Sequence, residues 1–285
     1  MQSVVSVLPQ WPANVPRSEE PEGSGVAVHD GSLIATADHV LGPAKKVRIR
    51  TADGQIDDAE IVLRDPQTDI ALLRIDGKLQ NLDNAISKTH VPTPADKACA
   101  IGNAFGLDIS LTCGVISAVN VTGTGFNPIE DFIQTDAAVN PGMSGGALVD
   151  ENGRLLGMLS AIFTKKSDSN IGVNFAVSNA LLRQVTYDFL KDGKLDRPKS
   201  GILIKPSGDG SGGEVVRVAE ASAEEKAGLR VGDILTKVNG RRFTRPGIYR
   251  RALAFVVGRP PLRVTIRRGG KELQLTINFE SQENQ

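Results

Sequence analysis

The chain has 285 residues, 40% hydrophobic and 23% charged, which is ordinary for a soluble globular protein and long enough for two domains. Its 33 basic and 33 acidic residues balance, so the charge gives no indication of a nucleic-acid or membrane partner. No apolar run is long enough to predict a membrane-spanning helix, and the N-terminus lacks the basic and apolar segments of a signal peptide.

The first two thirds of the chain predict a mainly-β domain. Residues 3–8 are a short apolar run, interpreted as a strand or a docking arm. From residue 25, short runs of Val, Ile and Leu alternate with turns at Asp30-Gly31, Asp53-Gly54 and Asn152-Gly153, a pattern that favours a barrel or sandwich. A helix over 178–191, capped by Ser178 and ended by Gly193, then closes this domain.

The last 85 residues have a mixed pattern. Short strands at 201–204, 214–218, 262–266 and 273–277 are interspersed with helices around 223–227 and 249–257. This indicates a compact α+β binding module, so the sequence predicts two domains.

Two cysteines, Cys99 and Cys113, are too few for a disulfide scaffold and lack metal-ligand spacing. They flank a short segment. If that segment is a hairpin they can meet across it, and two buried free thiols are an equally open interpretation. We expect neither a metal nor a cofactor.

The segment 140–147, NPGMSGGA, has the composition of a nucleophile loop. Small neighbours let a substrate carbonyl approach Ser144 Oγ. The amides of Gly142 and Ser144 can point at one spot, where the charge of a tetrahedral intermediate develops.

A serine nucleophile needs a base and a group that orients the base. Of the three histidines, His29 lies beside a turn and is expected to face solvent, and His90 lies in a loop without an obvious partner. His39 lies where an apolar strand runs into a turn, and Asp69 begins an apolar strand. These two residues, followed by Ser144, are the candidate catalytic set.

Five segments resemble the HtrA/Deg family of trypsin-like serine proteases: TADHV (36–40), DPQTDIALL (65–73), AIGNAFG (100–106), QTDAAVNPGMSGGAL (134–148) and NFAVS (174–178). The segment AEEKAGLRVGDILTKVNG (223–240) is similar to the PDZ domain that follows such proteases. The resemblance implies a chymotrypsin-like double β-barrel over 1–195 and a PDZ domain over 200–280. It also implies that Ser144 is the nucleophile, His39 the general base and Asp69 its orienter, with the Gly142 and Ser144 amides as the oxyanion hole.

Met143 departs from the family, which often has Asn before the nucleophile. Conventional trypsin-like enzymes use an acid there to bind a freed N-terminal amine, and Met143 cannot form that salt bridge. Our hypothesis is that control comes from regulated ordering of the loops that form the oxyanion hole.

The resemblance places the substrate pocket at uncharged residues, namely Ala138, Val139, Ile162, Ile171 and Val173. Without an acid at the base, we expect cleavage after Val, Ala, Leu or Ile. Asp136, two residues further upstream, is interpreted as structural.

The PDZ module is expected to bind a peptide C-terminus as an added strand beside Ile202 and Ile204. The peptide carboxylate would lie near Gly201, and Val256 would form the opposite wall of the groove. Ser200 replaces the apolar residue usual before that glycine. Family resemblance further implies protein substrates, a periplasmic or other extracytoplasmic location, and a homo-oligomer, suspected to be a trimer, to which Val4, Val5 and Trp11 could contribute apolar surface.

Two other functions compete with an endopeptidase. One is a chaperone or scaffold that binds unfolded segments and whose triad rarely assembles. The other is an esterase or acyltransferase, which the sequence disfavours because 147–149 follows the glycines as a strand rather than the helix of an α/β-hydrolase.

Overall fold

The computed structural model describes residues 2–12, 22–80, 92–162, 172–195, 197–256 and 261–279, without the side chains of 161 and 162. It contains two closed six-stranded barrels and a third sheet. The prediction of a mainly-β, chymotrypsin-like double barrel followed by an α+β PDZ domain is confirmed.

The first barrel is formed by residues 4–75 and closes in the order β1-β2-β3-β6-β5-β4. The turns at Asp30-Gly31 and Asp53-Gly54 connect neighbouring strands, as predicted, and both glycines have the positive φ that such turns require. Its strands are β1 (Val4–Gln10), β2 (Gly23–Val28), β3 (Leu33–Ala37), β4 (Lys46–Arg50), β5 (Ile56–Asp65) and β6 (Ile70–Ile75).

Strand β1 corrects one expectation. Val4 and Val5 are 1% and 0% exposed, because β1 pairs with both β2 and β4 and thereby closes the barrel. Neither side chain is therefore available as apolar surface for a second subunit. Trp11 lies just beyond the strand, partly exposed, with its ring against Gly42.

The second barrel closes in the order β10-β11-β12-β9-β8-β7. Strands β7 and β8 form a hairpin in which Cys99 lies opposite Cys113, and the two are joined by a disulfide. Of the two interpretations left open by the sequence, the cross-strand pair is the one formed. The strands are β7 (Lys97–Asn103), β8 (Ile109–Val121), β9 (Phe132–Thr135), β10 (Ala147–Val149), β11 (Leu155–Ile162) and β12 (Asn174–Ser178).

Two α-helices accompany the barrels in the described part of the chain. A single turn, α1 (Asp38–Leu41), follows β3, and α2 (Asn179–Asp192) follows β12. The Leu181 amide donates to Ser178 Oγ at 3.1 Å, and Gly193, with φ 75°, donates to the Phe189 carbonyl at 2.7 Å. The predicted cap and stop of α2 are therefore confirmed.

The C-terminal sheet has the order β13-β14-β15-β17-β18, and β16 pairs with β15. Its apolar core includes Val215, Phe243, Tyr249 and Leu262. The elements are β13 (Ile202–Pro206), β14 (Gly213–Val218), α3 (Ala223–Lys226), β15 (Ile234–Val238), β16 (Arg241–Arg242), α4 (Gly247–Leu253), β17 (Leu262–Arg268) and β18 (Lys271–Ile277).

Helix α4 differs from its predicted range of 249–257. It begins at Gly247, because Pro246 supplies a helical φ of −57° just before it. It ends at Leu253, after which the Phe255 and Val256 amides donate to carbonyls three residues back. Apolar spacing alone did not mark either end.

Contacts group the chain into two units, Met1–Val121 with Asp131–Tyr187, and Thr122–Glu130 with Asp188–Gln285. The boundary at 195–200 drawn from the sequence stays a prediction. Among the described helices, none is long and apolar enough to span a membrane.

Candidate active site

His39 and Asp69 lie side by side at the edge of the first barrel. His39 Nδ1 is 2.8 Å from Asp69 Oδ2 and 2.9 Å from Oδ1, and the His39 amide also donates to Oδ1 at 3.0 Å. The Asp69 residue is 7% exposed, whereas the His39 side chain is 51% exposed. A buried carboxylate therefore fixes Nδ1 as the donor nitrogen, which makes Nε2 the acceptor nitrogen of the neutral ring.

Local hydrogen bonds fix the backbone around both His39 and Asp69. Asp69 has φ 61°, a conformation that is costly for a residue with a side chain. The turn before it is held by Asp65, whose side chain accepts from Thr68 Oγ1 and from the Gln67 amide at 3.3 Å. Arg64 holds α1, because its Nε donates to Asp38 Oδ1 at 2.6 Å and its Nη1 to the Gly42 carbonyl at 2.8 Å.

Ser144 comes from the second barrel, in the loop before β10. Its hydroxyl donates to the Ser160 carbonyl at 3.4 Å. Ser160 Oγ in turn donates to Asp69 Oδ2 at 2.6 Å, across a sequence separation of 91 residues. Ser160 thus connects the loop of Ser144 to the carboxylate that holds His39.

Sequence reasoning missed Ser160. It lies in the apolar run that forms β11, and no local pattern distinguishes it from a core serine. The sequence feature that could have identified Ser160 is the presence of a polar residue within an apolar run.

The amides of Gly142 and Ser144 have directions set by the preceding carbonyls. The Pro141 carbonyl accepts from the Phe105 amide at 2.7 Å, and the Met143 carbonyl accepts from the Gly146 amide at 2.9 Å. In a trans peptide the C=O and N–H point in opposite directions, so the Gly142 and Ser144 N–H groups point away from these partners. These two N–H groups are therefore oriented away from the carbonyls of Pro141 and Met143.

Two glycines in this loop are required by their surroundings. Gly142 has φ 90°, and a Cβ there would lie 2.3 Å from the Asn103 carbonyl oxygen. Gly145 has φ 86°, and a Cβ there would lie 2.1 Å from the Ser24 carbonyl oxygen. The loop can lie this close to both barrels only without side chains at these positions.

The Met143 side chain is 0% exposed and packs in the core of the second barrel with Leu148, Leu159 and Ala176. Its sulfur also accepts from the Asn140 amide at 3.4 Å. A buried thioether here replaces the charged pair of conventional trypsin-like enzymes.

The five pocket residues predicted from the sequence differ in exposure, and two of them cannot be compared. Val139 is 2% exposed and belongs to the barrel core, whereas Ala138 and Val173 are partly exposed. Ile171 and the side chain of Ile162 lie outside the described part of the chain. Asp136 Oδ1 accepts from the Val115 amide at 2.6 Å, so this carboxylate has a structural partner.

His29 is exposed, as expected, and His90 lies outside the described residues. Within the described residues, no group of three or more His, Cys, Asp or Glu side chains could hold a metal ion.

In the C-terminal module, Ile202 and Ile204 lie on β13, which is an edge strand that pairs, within the described residues, with β14 alone. Val256 is 6% exposed and packs in the core of the module. The Gly201 amide, expected near a ligand carboxylate, donates instead to Glu224 Oε1 at 3.0 Å. Sequence reasoning did not identify Glu224, which belongs to α3.

Glu224 is 0% exposed, and its Oε1 also accepts from the Tyr249 hydroxyl at 2.9 Å. Burial, reinforced by the charge of Glu224, raises the pKa of Tyr249 far above its usual range. Tyr249 therefore stays a donor. The second oxygen, Oε2, is buried and has no hydrogen-bond partner in the described part of the chain.

Comparison with known proteins finds two family models. Residues 23–158 match the trypsin-like peptidase domain, and residues 214–268 match the PDZ domain. The chain is 32% identical over 274 residues to the periplasmic serine endoprotease DegP of Escherichia coli K12, covering 92% of this chain and 57% of DegP. It is also 32% identical to the periplasmic pH-dependent serine endoprotease DegQ of the same organism, covering 96% of this chain and 62% of DegQ. The chain thus spans less than two thirds of either protein.

Solved structures agree with the sequence matches. A structure of the HtrA-type protease AlgW with a tripeptide superposes with a TM-score of 0.77 at 30% identity, covering 97% of this chain and 92% of AlgW. The serine endoprotease from Yersinia pestis gives a TM-score of 0.68 at 31% identity, covering 99% and 95% of the two chains.

We predict that Ser160→Ala slows the reaction of Ser144 with a fluorophosphonate probe about tenfold, because Asp69 loses one hydrogen bond and holds His39 less firmly. The measurement is the second-order labelling rate, with Ser117→Ala, an exposed serine on β8, as the control. An unchanged rate in the Ser160 variant would show that its bond to Asp69 has no part in the reactivity of Ser144.

Proposed function

The chain belongs to the HtrA family of trypsin-like serine proteases with a C-terminal PDZ domain, and on this premise we propose that it is a serine endopeptidase acting on unfolded or regulatory proteins. The observation that carries the proposal is the chain of contacts from His39 to Asp69, from Asp69 to Ser160 and from Ser160 to Ser144. It supports the proposal because it links an imidazole and a buried carboxylate of the first barrel to a serine hydroxyl of the second.

In the proposed mechanism, His39 Nε2 takes the proton of Ser144 Oγ as the oxygen attacks the scissile carbonyl. Asp69 stays ionised and stabilises the imidazolium through Nδ1. The negative charge on the tetrahedral oxygen is stabilised by the amides of Gly142 and Ser144. His39 then gives the proton to the leaving amine, which leaves an acyl group on Ser144. A water molecule attacks this acyl group while His39 takes the proton of the water, and the proton passes to Ser144 Oγ as the acid product leaves.

Ser144 must first turn away from its present acceptor, the Ser160 carbonyl. At 3.4 Å this bond is long, so it offers little resistance. A chaperone or scaffold with a rarely assembled triad remains the second candidate. It is favoured by the fact that in this structure the Ser144 hydroxyl donates to a backbone carbonyl rather than to a base.

The proposed substrate preference is for small or medium aliphatic residues before the cut. Ala138, Val139, Ile162, Ile171 and Val173 carry no charge, and the nearby Asp136 already accepts a backbone hydrogen bond. A pocket of this composition has no partner for the cation of an Arg or Lys side chain, so burying that cation would be costly.

For the PDZ module, we propose that an extended peptide adds as a strand to β13. The free edge of this strand and the half-buried Ile202 and Ile204 support that mode. The Gly201 amide is already bonded to Glu224, whose carboxylate is buried beside it. The main-chain ladder on β13, more than capture of a terminal carboxylate, would therefore supply the affinity.

An extracytoplasmic location is proposed on two grounds. DegP and DegQ are named as periplasmic, and the Cys99–Cys113 disulfide is typical of oxidising compartments. Family membership supports a homo-oligomer, with a trimer as the specific proposal. Of the three N-terminal residues first considered for that interface, only Trp11 retains exposed surface.

We expect Ser144→Ala to lower kcat for an unfolded protein substrate by about 10⁶, the scale on which loss of a catalytic serine acts. The assay is release of peptides from a denatured protein, together with fluorophosphonate labelling of the wild type. Labelling at Ser144 would favour the endopeptidase over the scaffold, since it requires an assembled, basic His39. Equal turnover by the variant would refute the mechanism.

Profiling of a peptide library by mass spectrometry should show cuts mainly after Val, Ala, Leu or Ile. Digestion by Ser144→Ala under the same conditions corrects for contaminating proteases. Predominant cleavage after Arg or Lys would refute the proposed pocket.

Glu224 should reduce the preference of the PDZ module for a free C-terminus, because a ligand carboxylate would approach a carboxylate already in place. Two like charges about 4 Å apart repel each other by about 1 kcal/mol even in water and by more at a partly buried site, which corresponds to about tenfold in affinity. We expect decapeptides ending in Val, Leu, Ala or Phe to bind about equally as acids and as amides. With the isosteric Glu224→Gln substitution, the acids should bind about tenfold more tightly than the amides.

This binding is measured by fluorescence anisotropy on proteins that also carry Ser144→Ala, which prevents cleavage. A strong preference of the unsubstituted module for acids would contradict the role of Glu224. Failure of both proteins to bind any of these peptides would contradict strand addition at β13.

A further inference from the structure

Ser24, in strand β2 of the first barrel, makes four hydrogen bonds although it is 0% exposed. Its hydroxyl donates to the Gly142 carbonyl at 2.8 Å and accepts from the Asn103 amide at 2.8 Å. Its amide donates to the Ser144 carbonyl at 2.8 Å, and its carbonyl accepts from Thr36 Oγ1 at 2.7 Å. One buried serine therefore joins the first barrel to two residues of the nucleophile loop.

The bonds to Ser24 complete a set that fixes four consecutive peptide groups. The carbonyls of Pro141 and Met143 are held by the amides of Phe105 and Gly146. The carbonyls of Gly142 and Ser144 are both held by Ser24. Because the orientation of each peptide plane depends on its neighbours, release of the Gly142 carbonyl would loosen the planes that carry the Gly142 and Ser144 N–H groups.

The hydroxyl of Ser24 is required in a way that an apolar residue cannot reproduce. It acts at once as a donor to one carbonyl and as an acceptor from one amide, so its removal would leave two buried backbone groups without this partner. The fit around it is close, since a Cβ on Gly102 would lie 2.9 Å from Ser24 Oγ. Little space is available for the loop to shift and find other partners.

We propose that Ser24 is a positioning residue of the oxyanion hole, which holds the Gly142 and Ser144 amides in the orientation that stabilises the transition state. Ser24 contacts neither substrate nor the reacting atoms and acts through the backbone of the loop. The inference rests on the proposed endopeptidase function. It adds that the first barrel, which supplies the base and its acid, also shapes the site for the developing negative charge.

A residue with this role affects the transition state more than the bound substrate. Loss of an oxyanion-hole donor lowers kcat by about 10²–10³, so misplacement of two donors should cost about 10². We expect Ser24→Ala to lower kcat about 100-fold and to change KM by less than about threefold. Affinity for a peptide boronate, which forms a tetrahedral adduct on Ser144, should fall in parallel with kcat.

Ser6→Ala is the matched control. Ser6 is 2% exposed and is the cross-strand partner of Ser24 in the β1–β2 pair, so its loss removes a buried hydroxyl from the same pair of strands while the four hydrogen bonds of Ser24 stay in place. We expect kcat and boronate affinity within about threefold of wild type. Ser24→Cys is the second variant, for use if Ser24→Ala fails to fold. Its thiol is a weak donor, so we expect a kcat between those of wild type and the alanine variant.

Kinetics are measured on the 285-residue chain and its variants, and the thermal unfolding of each protein is recorded alongside. The inference is overturned if folded Ser24→Ala, or folded Ser24→Cys where the alanine variant does not fold, keeps kcat within about threefold of wild type. It is also overturned if KM rises while kcat is unchanged, or if Ser6→Ala loses as much activity as Ser24→Ala. Wild type without Ser144-dependent hydrolysis would overturn the proposed function itself, whereas an active wild type with an equally active Ser24 variant overturns only the role of Ser24.

Discussion

The candidate site depends on a small number of hydrogen bonds that cross between the two barrels. His39 and Asp69 come from the first barrel, whereas Ser144 and Ser160 come from the second. The bond from Ser160 to Asp69 joins the acid of one barrel to a strand of the other, and Ser24 joins the first barrel to the nucleophile loop. Each barrel has its own apolar core, so both sides of this junction are firmly packed. Neither barrel alone contains the complete set of groups.

Unfavourable backbone conformations are concentrated at this junction of the two barrels. Asp69 has a positive φ and Gly142 and Gly145 have conformations that side chains would oppose. Strain of this kind costs about 1–3 kcal/mol for a residue such as Asp69 and persists only where several bonds fix it. The Asp65 turn before Asp69 provides these bonds. The backbone that presents the acid is therefore held by contacts within the first barrel.

The sequence was sufficient where the physical signal is local. Alternating apolar runs and Asp-Gly or Asn-Gly turns predicted the strands, and Ser178 and Gly193 marked the ends of α2. The candidate set His39, Asp69 and Ser144 came from motifs with characteristic neighbours. Ser24, Ser160 and Glu224 were missed because their roles arise from pairings over long separations, and each alone is one polar residue among many. The run at Val4 and Val5 was ambiguous for the opposite reason, since closure of the barrel, and no local pattern, decides that it is a buried strand.

Met143 shows why such a site can be both well formed and open to regulation. Met143 has a buried thioether in place of an acid, so this residue cannot hold the nucleophile loop through a salt bridge. The bonds from Phe105, Gly146 and Ser24 that hold its carbonyls join neutral groups. A neutral hydrogen bond contributes about 0.5–1.5 kcal/mol net, so these contacts together favour the ordered loop by only a few kcal/mol. A ligand that binds one loop state about 10³–10⁴-fold more tightly supplies a comparable free energy. Binding of a substrate or partner could therefore supply enough free energy to order the proposed oxyanion hole, without proteolytic release of a new N-terminus.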